Sequence, residues 1–173
     1  MQPNTAVPTA VSRAPTNPIR GLLGWLALCF VAAALGGLAS SNAVGFYGQL
    51  VQPTWAPPAW LFGPVWTLLY AMMGVAAWLV WKEQGWRNAR GALSLFVAQL
   101  AANALWTWLF FVWHLGAVAS AEIVLLWLMI AFTAWKFWHI RKLAGGLLLP
   151  YLLWVSFATA LSFAMWRGNP QIL

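Results

Sequence analysis

The sequence predicts an all-α, polytopic membrane protein folded as a bundle of five transmembrane helices. Of its 173 residues, 63% are hydrophobic and only 6% are charged, against about a half and about a quarter in soluble domains. Apolar runs fall at about 21–41, 63–81, 91–113, 117–137 and 144–165, each near or above the ~20 residues that cross a hydrocarbon core as a helix. Apolar and polar residues do not alternate with period two, which argues against a transmembrane β-barrel.

Residues 1–20 hold four prolines among Ser, Thr and Asn and show no apolar period, so they read as a disordered tail. Helix 1 follows. The SNA triplet at 41–43 resembles a signal cleavage site, but the apolar run is longer than a usual h-region and its leader is long, which favours a retained span. Ala32, Gly36 and Ser40 recur at intervals of four beside Ala33 and Gly37. Such a small-residue face lets a second helix approach closely, either within the bundle or in a homodimer. Cys29, the lone cysteine, lies in this helix and forms no intrachain disulfide; it reads as a small core residue.

The segment Pro53–Tyr70 leads into helix 2 and is the densest in aromatic rings and prolines. Pro53, Pro57, Pro58 and Pro64 fix φ and remove donors, so the approach is a rigid extended loop, with Pro64 tolerated near a helical first turn. Trp66 and Tyr70, four apart, share one helix face, below Trp55 and Trp60 on the loop. Aromatic walls with few polar tips suit a large, flat, mostly apolar ligand, although belt aromatics at the membrane surface account equally well for any single ring.

Helix 3 carries Gln99, Asn103 and Thr107 at intervals of four, then Trp106 and Trp108. Amides at this depth need partners, so the stripe faces other helices or a cavity. Gln99 and Thr107 read as interhelical ties; Asn103, beside Trp106, reads as a ligand-facing donor. Glu122 in helix 4 is the only acidic residue within a span, which makes it a functional candidate, weakened by its place about one turn from the outer end. In helix 5, Tyr151, Trp154 and Ala158 share a face, and the small Ala158 leaves room beneath the two aromatics. The last residues, 168–173, form a short C-terminal tail.

The net charge of +7 does not point to nucleic acid, because the basic residues sit between apolar runs rather than on a soluble face. Arg13, Arg20, Lys82, Arg87, Arg90, Lys136, Arg141 and Lys142 fall on one side of the membrane and only Arg167 on the other. The positive-inside rule then puts the N-terminus in the cytoplasm and the C-terminus outside, in a bacterial cell membrane. No metal site is expected: His114 and His139 lie at opposite ends of the bundle, and no Cys and His cluster has zinc spacing. An interfacial role is the ordinary explanation of His114, with haem ligation the alternative. No glycine-rich nucleotide loop follows a strand, no Asp is present for a Ser/His/Asp triad, and a lone intramembrane carboxylate gives no paired acid and base. Spans without breaks or an internal repeat disfavour a secondary transporter of small solutes.

Four segments together, WAPPAWLFGPVWTLLY at 55–70, QLAANALWTWLFF at 99–111, EIVLLW at 122–127 and PYLLWVSFATAL at 150–161, resemble the TspO/MBR family, the tryptophan-rich sensory proteins and mitochondrial translocator proteins. The resemblance covers about residues 21–167. It implies a five-helix bundle, commonly a homodimer, whose pocket is closed by the loop between helices 1 and 2 and takes protoporphyrin or haem-type tetrapyrroles without a required cofactor. Carried over by position, the pocket would include Trp55, Trp60, Trp66, Tyr70, Asn103, Trp106, Trp154 and Ala158, beside which the helix 5 face places Tyr151. A role in sensing, transport or porphyrin homeostasis follows. The alternative is enzymatic, a light- and oxygen-dependent porphyrin breakdown with Trp55, Trp60 or Trp154 as radical partners. Two departures stand out: Phe163 replaces the tyrosine of the sterol-recognition pattern between Leu161 and Arg167, which weighs against sterol affinity, and Ser162 stands where the family often has Asn.

Overall fold

The computed structural model describes residues 17–173; the rest of the predicted N-terminal tail lies outside the described residues. Among the described residues there is no strand. The helices are α1 (Pro18–Ala39), α2 (Ala43–Gln49), α3 (Phe62–Asn88), α4 (Arg90–Phe111), α5 (Gly116–Ile140), α6 (Lys142–Leu147) and α7 (Leu149–Gly168), with a 3-10 turn at Ala59–Leu61 before α3. Among the described residues five helical stretches are long and apolar enough to cross a membrane: α1, the turn with α3, α4, α5, and α6 with α7. The five-helix architecture expected from the apolar runs is the one observed.

Local chemistry sets the boundaries. α1 starts at Pro18, ahead of the predicted tail boundary at residue 20, because the Asn17 side chain accepts from the Arg20 N–H at 3.3 Å and Pro18 occupies the first turn, where its missing donor is harmless. Near the end of α3, Gly85 takes φ 68° and ψ 175°; only glycine enters that region without strain, and it lets the chain turn into α4 after a single linking residue. The fifth span departs from expectation. It is broken at Leu148, between α6 and α7, because Pro150 has no N–H to carry the helical ladder through. The expectation of unbroken spans therefore fails there.

α1 packs against α3 and α4, α5 against α4, α6 and α7, and α3 against α6. This closes a ring of five spans. The short α6 brings the ring together at the end where Lys82, Arg87, Arg90, Lys136, Arg141 and Lys142 lie; there Arg141 donates to Glu83 at 3.4 Å across an exposed pair. At the opposite end α3 and α7 make few direct contacts. The small-residue face of α1 serves this ring: Ala32, Gly36 and Ala39 are buried, and a Cβ on Gly36 would stand 3.2 Å from Thr107 Oγ1. Gly37, with nothing within 4 Å of its Cβ position, is the glycine of that face left open.

Candidate ligand-binding cavity

Between the diverging ends of α3 and α7 lies a cavity of about 590 Å³, within the ~300–1,000 Å³ typical of small-molecule sites. Its walls come from the same half of every span: Gly36 and Gly37 on α1, Phe62, Trp66 and Tyr70 on α3, Asn103 to Phe111 on α4, Ile123 and Leu126 on α5, and Trp154 to Met165 on α7. Tyr47 of α2, with Ala59 and Trp60, closes the mouth.

The rings are placed by mutual edge and face contacts. Trp66 leans on Tyr70 at 5.7 Å and meets Tyr151 edge-on at 6.0 Å. Trp106 stacks on Phe110 at 5.2 Å, and Trp154 meets Phe62 edge-on at 5.9 Å. Each contact is worth about 0.5–1.5 kcal/mol beyond area burial, so the walls hold their shape without a filled centre. The indole Nε1 atoms of Trp106 and Trp154 are buried and make no hydrogen bond among the described residues. Both belong to wall residues, so a ligand acceptor that reached either would satisfy a donor now without a partner.

Beneath the rings runs a polar relay across three helices. The Tyr70 hydroxyl donates to Asn103 Oδ1 at 2.9 Å, Asn103 Nδ2 donates to the Tyr151 hydroxyl at 2.7 Å, and Tyr151 donates to Gln99 Oε1 at 2.9 Å. Gln99 Nε2 ends the relay on Met73 Sδ at 4.0 Å. Every member is buried. Satisfied networks of this kind fix a unique packing, and here the relay forms the floor of the cavity.

Of the residues predicted for the pocket, Trp60, Trp66, Tyr70, Asn103, Trp106, Trp154 and Ala158 line the cavity. Trp55 and Tyr151 do not. Trp55 lies on the outer side of the loop, half exposed, with its ring edge-on to Phe157 at 5.7 Å. Tyr151 is fully buried one layer below the lining, because its hydroxyl is held between Gln99 and Asn103. Asn103 reaches the lining, but its oxygen and nitrogen are both bonded within the relay, so it is a floor residue before it is a ligand donor. Thr107, expected to tie helices together, bonds its own Asn103 carbonyl at 3.3 Å and forms wall. Gln99 is the interhelical tie that its spacing suggested.

Glu122 and His114 stand outside the lining. The Glu122 carboxylate oxygens are buried and make no hydrogen bond among the described residues. His114 stacks on Phe46 at 4.4 Å, at φ 52° in the turn between α4 and α5. Ser162 lines the cavity and shares a 3.3 Å hydrogen bond with Ser120 of α5, so the position keeps a polar tie between helices. No group of three or more His, Cys, Asp or Glu side chains comes together among the described residues. Lining residues that spacing had not marked include the aromatics Tyr47, Phe62, Phe110 and Phe111. Burial pushes the Tyr47 hydroxyl above its usual range, and it donates to the Pro57 carbonyl at 3.1 Å.

The sequence profile of the TspO/MBR family matches residues 25–167. The tryptophan-rich sensory protein of Cereibacter sphaeroides is 40% identical over 147 residues, covering 85% of this chain and 90% of that protein. The tryptophan-rich protein TspO of Chlorobaculum tepidum is 41% identical over 152 residues, 84% of this chain and 96% of that protein. The human translocator protein is 36% identical over 143 residues, 82% and 83% of the two chains.

Proposed function

The chain belongs to the TspO/MBR family of integral, multi-pass membrane proteins, and from that premise we propose that it binds a protoporphyrin-type tetrapyrrole in the cavity at the non-basic end, in a sensory, transport or homeostatic role. The observation that carries the reading is the cavity itself: about 590 Å³ walled by Trp66, Trp106, Trp154 and Phe62 over a polar floor. A flat, conjugated, largely apolar macrocycle gains stacking and edge contacts from such walls. Its peripheral polar groups can accept from the Trp106 and Trp154 indoles. The Gly36 and Gly37 side, free of side-chain bulk, leaves width for the ring.

Titration of the detergent-purified protein with protoporphyrin, read by quenching of tryptophan fluorescence, tests this. Saturable quenching is expected, and Trp66→Ala should weaken binding from a few-fold to tens-fold, from lost stacking and lost buried area. Unsaturable quenching that is the same in wild type and Trp66→Ala would end the proposal. A second reading, light- and oxygen-dependent breakdown of the bound porphyrin, is favoured by the four indoles that line the cavity. Illumination in air should then bleach bound pigment faster in wild type than in Trp154→Phe, whereas equal rates argue for binding alone.

The basic residues set the expected sidedness. The N-terminus and the α3–α4 and α5–α6 turns lie in the cytoplasm of a bacterial cell, and the cavity opens at the outer end. Reporter fusions after Arg90 and Leu173 should give opposite signals; matching signals would contradict this arrangement.

A further inference from the structure

The segment 43–61 covers the mouth of the cavity, contributing Ala43, Val44, Tyr47, Ala59 and Trp60 to its lining. It is internally tied. Gln52 Nε2 donates to the Tyr47 carbonyl at 2.6 Å, the Tyr47 hydroxyl donates to the Pro57 carbonyl at 3.1 Å, and the Ala56 N–H donates to the Pro53 carbonyl at 2.9 Å. Pro53, Pro57 and Pro58 and these bonds make it one stiff unit.

Its attachment to the bundle is of two kinds. The larger part is apolar: Tyr47 and Leu50 bury against Leu109, Phe110, Leu161 and Met165, and Trp55 meets Phe157 edge-on. Such contacts are non-directional and tolerate sliding. The polar part is a single side chain. Among the described residues, and apart from chain continuity at its two ends, the segment's hydrogen bonds to the rest of the protein all run to Asn169. The Val51 N–H donates to Asn169 Oδ1 at 2.7 Å, and Asn169 Nδ2 donates to the Val51 carbonyl at 3.1 Å. One amide thus pairs with both polar atoms of one residue's main chain, as a neighbouring strand would.

Asn169 is itself held firmly. Nδ2 also donates to the Met165 carbonyl at 2.8 Å, the Asn169 N–H caps α7 through the Trp166 carbonyl, and its carbonyl accepts from the Ile172 and Leu173 N–H groups at 3.0 Å each. The residue is 4% exposed. Breaking its pairing with Val51 leaves Oδ1 of the buried Asn169 without its partner, while Nδ2 keeps the Met165 carbonyl, which makes release a discrete step rather than gradual loosening.

Resting on the cavity as the ligand site, we propose that Asn169 is the positioning residue that clasps the segment 43–61 over the cavity, and that release of its side chain from Val51 is the opening step through which ligand is admitted and discharged. The clasp acts on rates at the mouth and leaves the walls unchanged.

Two variants test it from opposite directions, with protoporphyrin as probe and stopped-flow tryptophan quenching as readout. Asn169→Leu removes the clasp and should speed release about tenfold or more. In Val51→Cys/Gly168→Cys the clasp becomes covalent: a Cβ on Gly168 would lie 4.0 Å from the Val51 Cβ, inside the ~3.5–4.5 Å that a disulfide spans, while Cys29 is fully buried away from it. The oxidised protein should load and release at least about tenfold more slowly, and reductant should restore the wild-type rates in the same sample. Wild-type loading by protein whose mass confirms the cross-link would overturn the proposal and move the route elsewhere. Should wild type show no saturable quenching, it is the ligand reading that fails. Amide exchange across 43–58 in ligand-free protein then decides the clasp, with faster exchange in Asn169→Leu supporting it and unchanged exchange refuting it.

Discussion

The two ends of this bundle are made by the same five spans and packed in opposite ways. Toward the basic face, small residues let backbones close in: a Cβ on Gly74 would lie 2.8 Å from the Leu26 side chain, and one on Gly145 would lie 2.7 Å from the Trp138 backbone. Ala76, Ala77, Val80 and Leu93 are fully buried around Phe96 and Phe137, whose rings stack at 5.7 Å. Toward the other face the same helices carry Trp66, Trp106, Trp154, Phe62 and Phe110, which brace one another or their neighbours by edge and stacked contacts and leave the centre open. In lipid, where apolarity alone does not drive helices together, side-chain size sets where they touch. The Tyr70–Asn103–Tyr151–Gln99 relay marks the border between the closed end and the open one.

That contrast predicts where truncation destabilises and where it acts on binding instead. The largest stability effect belongs to the closed end: Phe137→Ala leaves a void among packed helices and should cost about 3–5 kcal/mol, read as a lowered midpoint in detergent unfolding. A midpoint within error of wild type would mean that this end is not the rigid one. At the border, Tyr151→Phe strips the hydroxyl shared by Asn103 and Gln99 and should cost about 1–3 kcal/mol, with any loss of ligand affinity smaller than that caused by Trp66→Ala. If Tyr151→Phe instead weakened binding more than Trp66→Ala at unchanged stability, Tyr151 would be lining and not floor.

The spans and the aromatic faces of the open end were the legible part of the sequence. Five spans follow from length and apolarity, which need no tertiary information, and the helical spacings Trp66/Tyr70, Asn103/Trp106 and Trp154/Ala158 do bring those residues to the cavity. Spacing names a face but not a depth, which is why Tyr151, on the predicted face, lies one layer too deep. Prolines announced a stiff loop without saying which side of it faced the cavity, so Trp55 packs on Phe157 outside the lining while Tyr47, in the unanticipated α2, lines it. The Asn169 clasp joins residues 118 apart in the chain, and nothing local in the C-terminal segment signals it. Pro150 did carry the sign of the break in the fifth span.

The account's central claim is that the open end is built as a ligand space and not left over from poor packing. Ala158→Leu addresses it most directly, since Ala158 lines the cavity beside Trp154 and a leucine would fill space without deleting a contact. Protoporphyrin titration of the folded variant should show affinity reduced about tenfold or more, the equivalent of roughly 1–3 kcal/mol of overpacking against the ligand, while the unfolding midpoint holds or rises as the void fills. Wild-type affinity in a folded Ala158→Leu protein would contradict the claim and place the ligand outside this cavity.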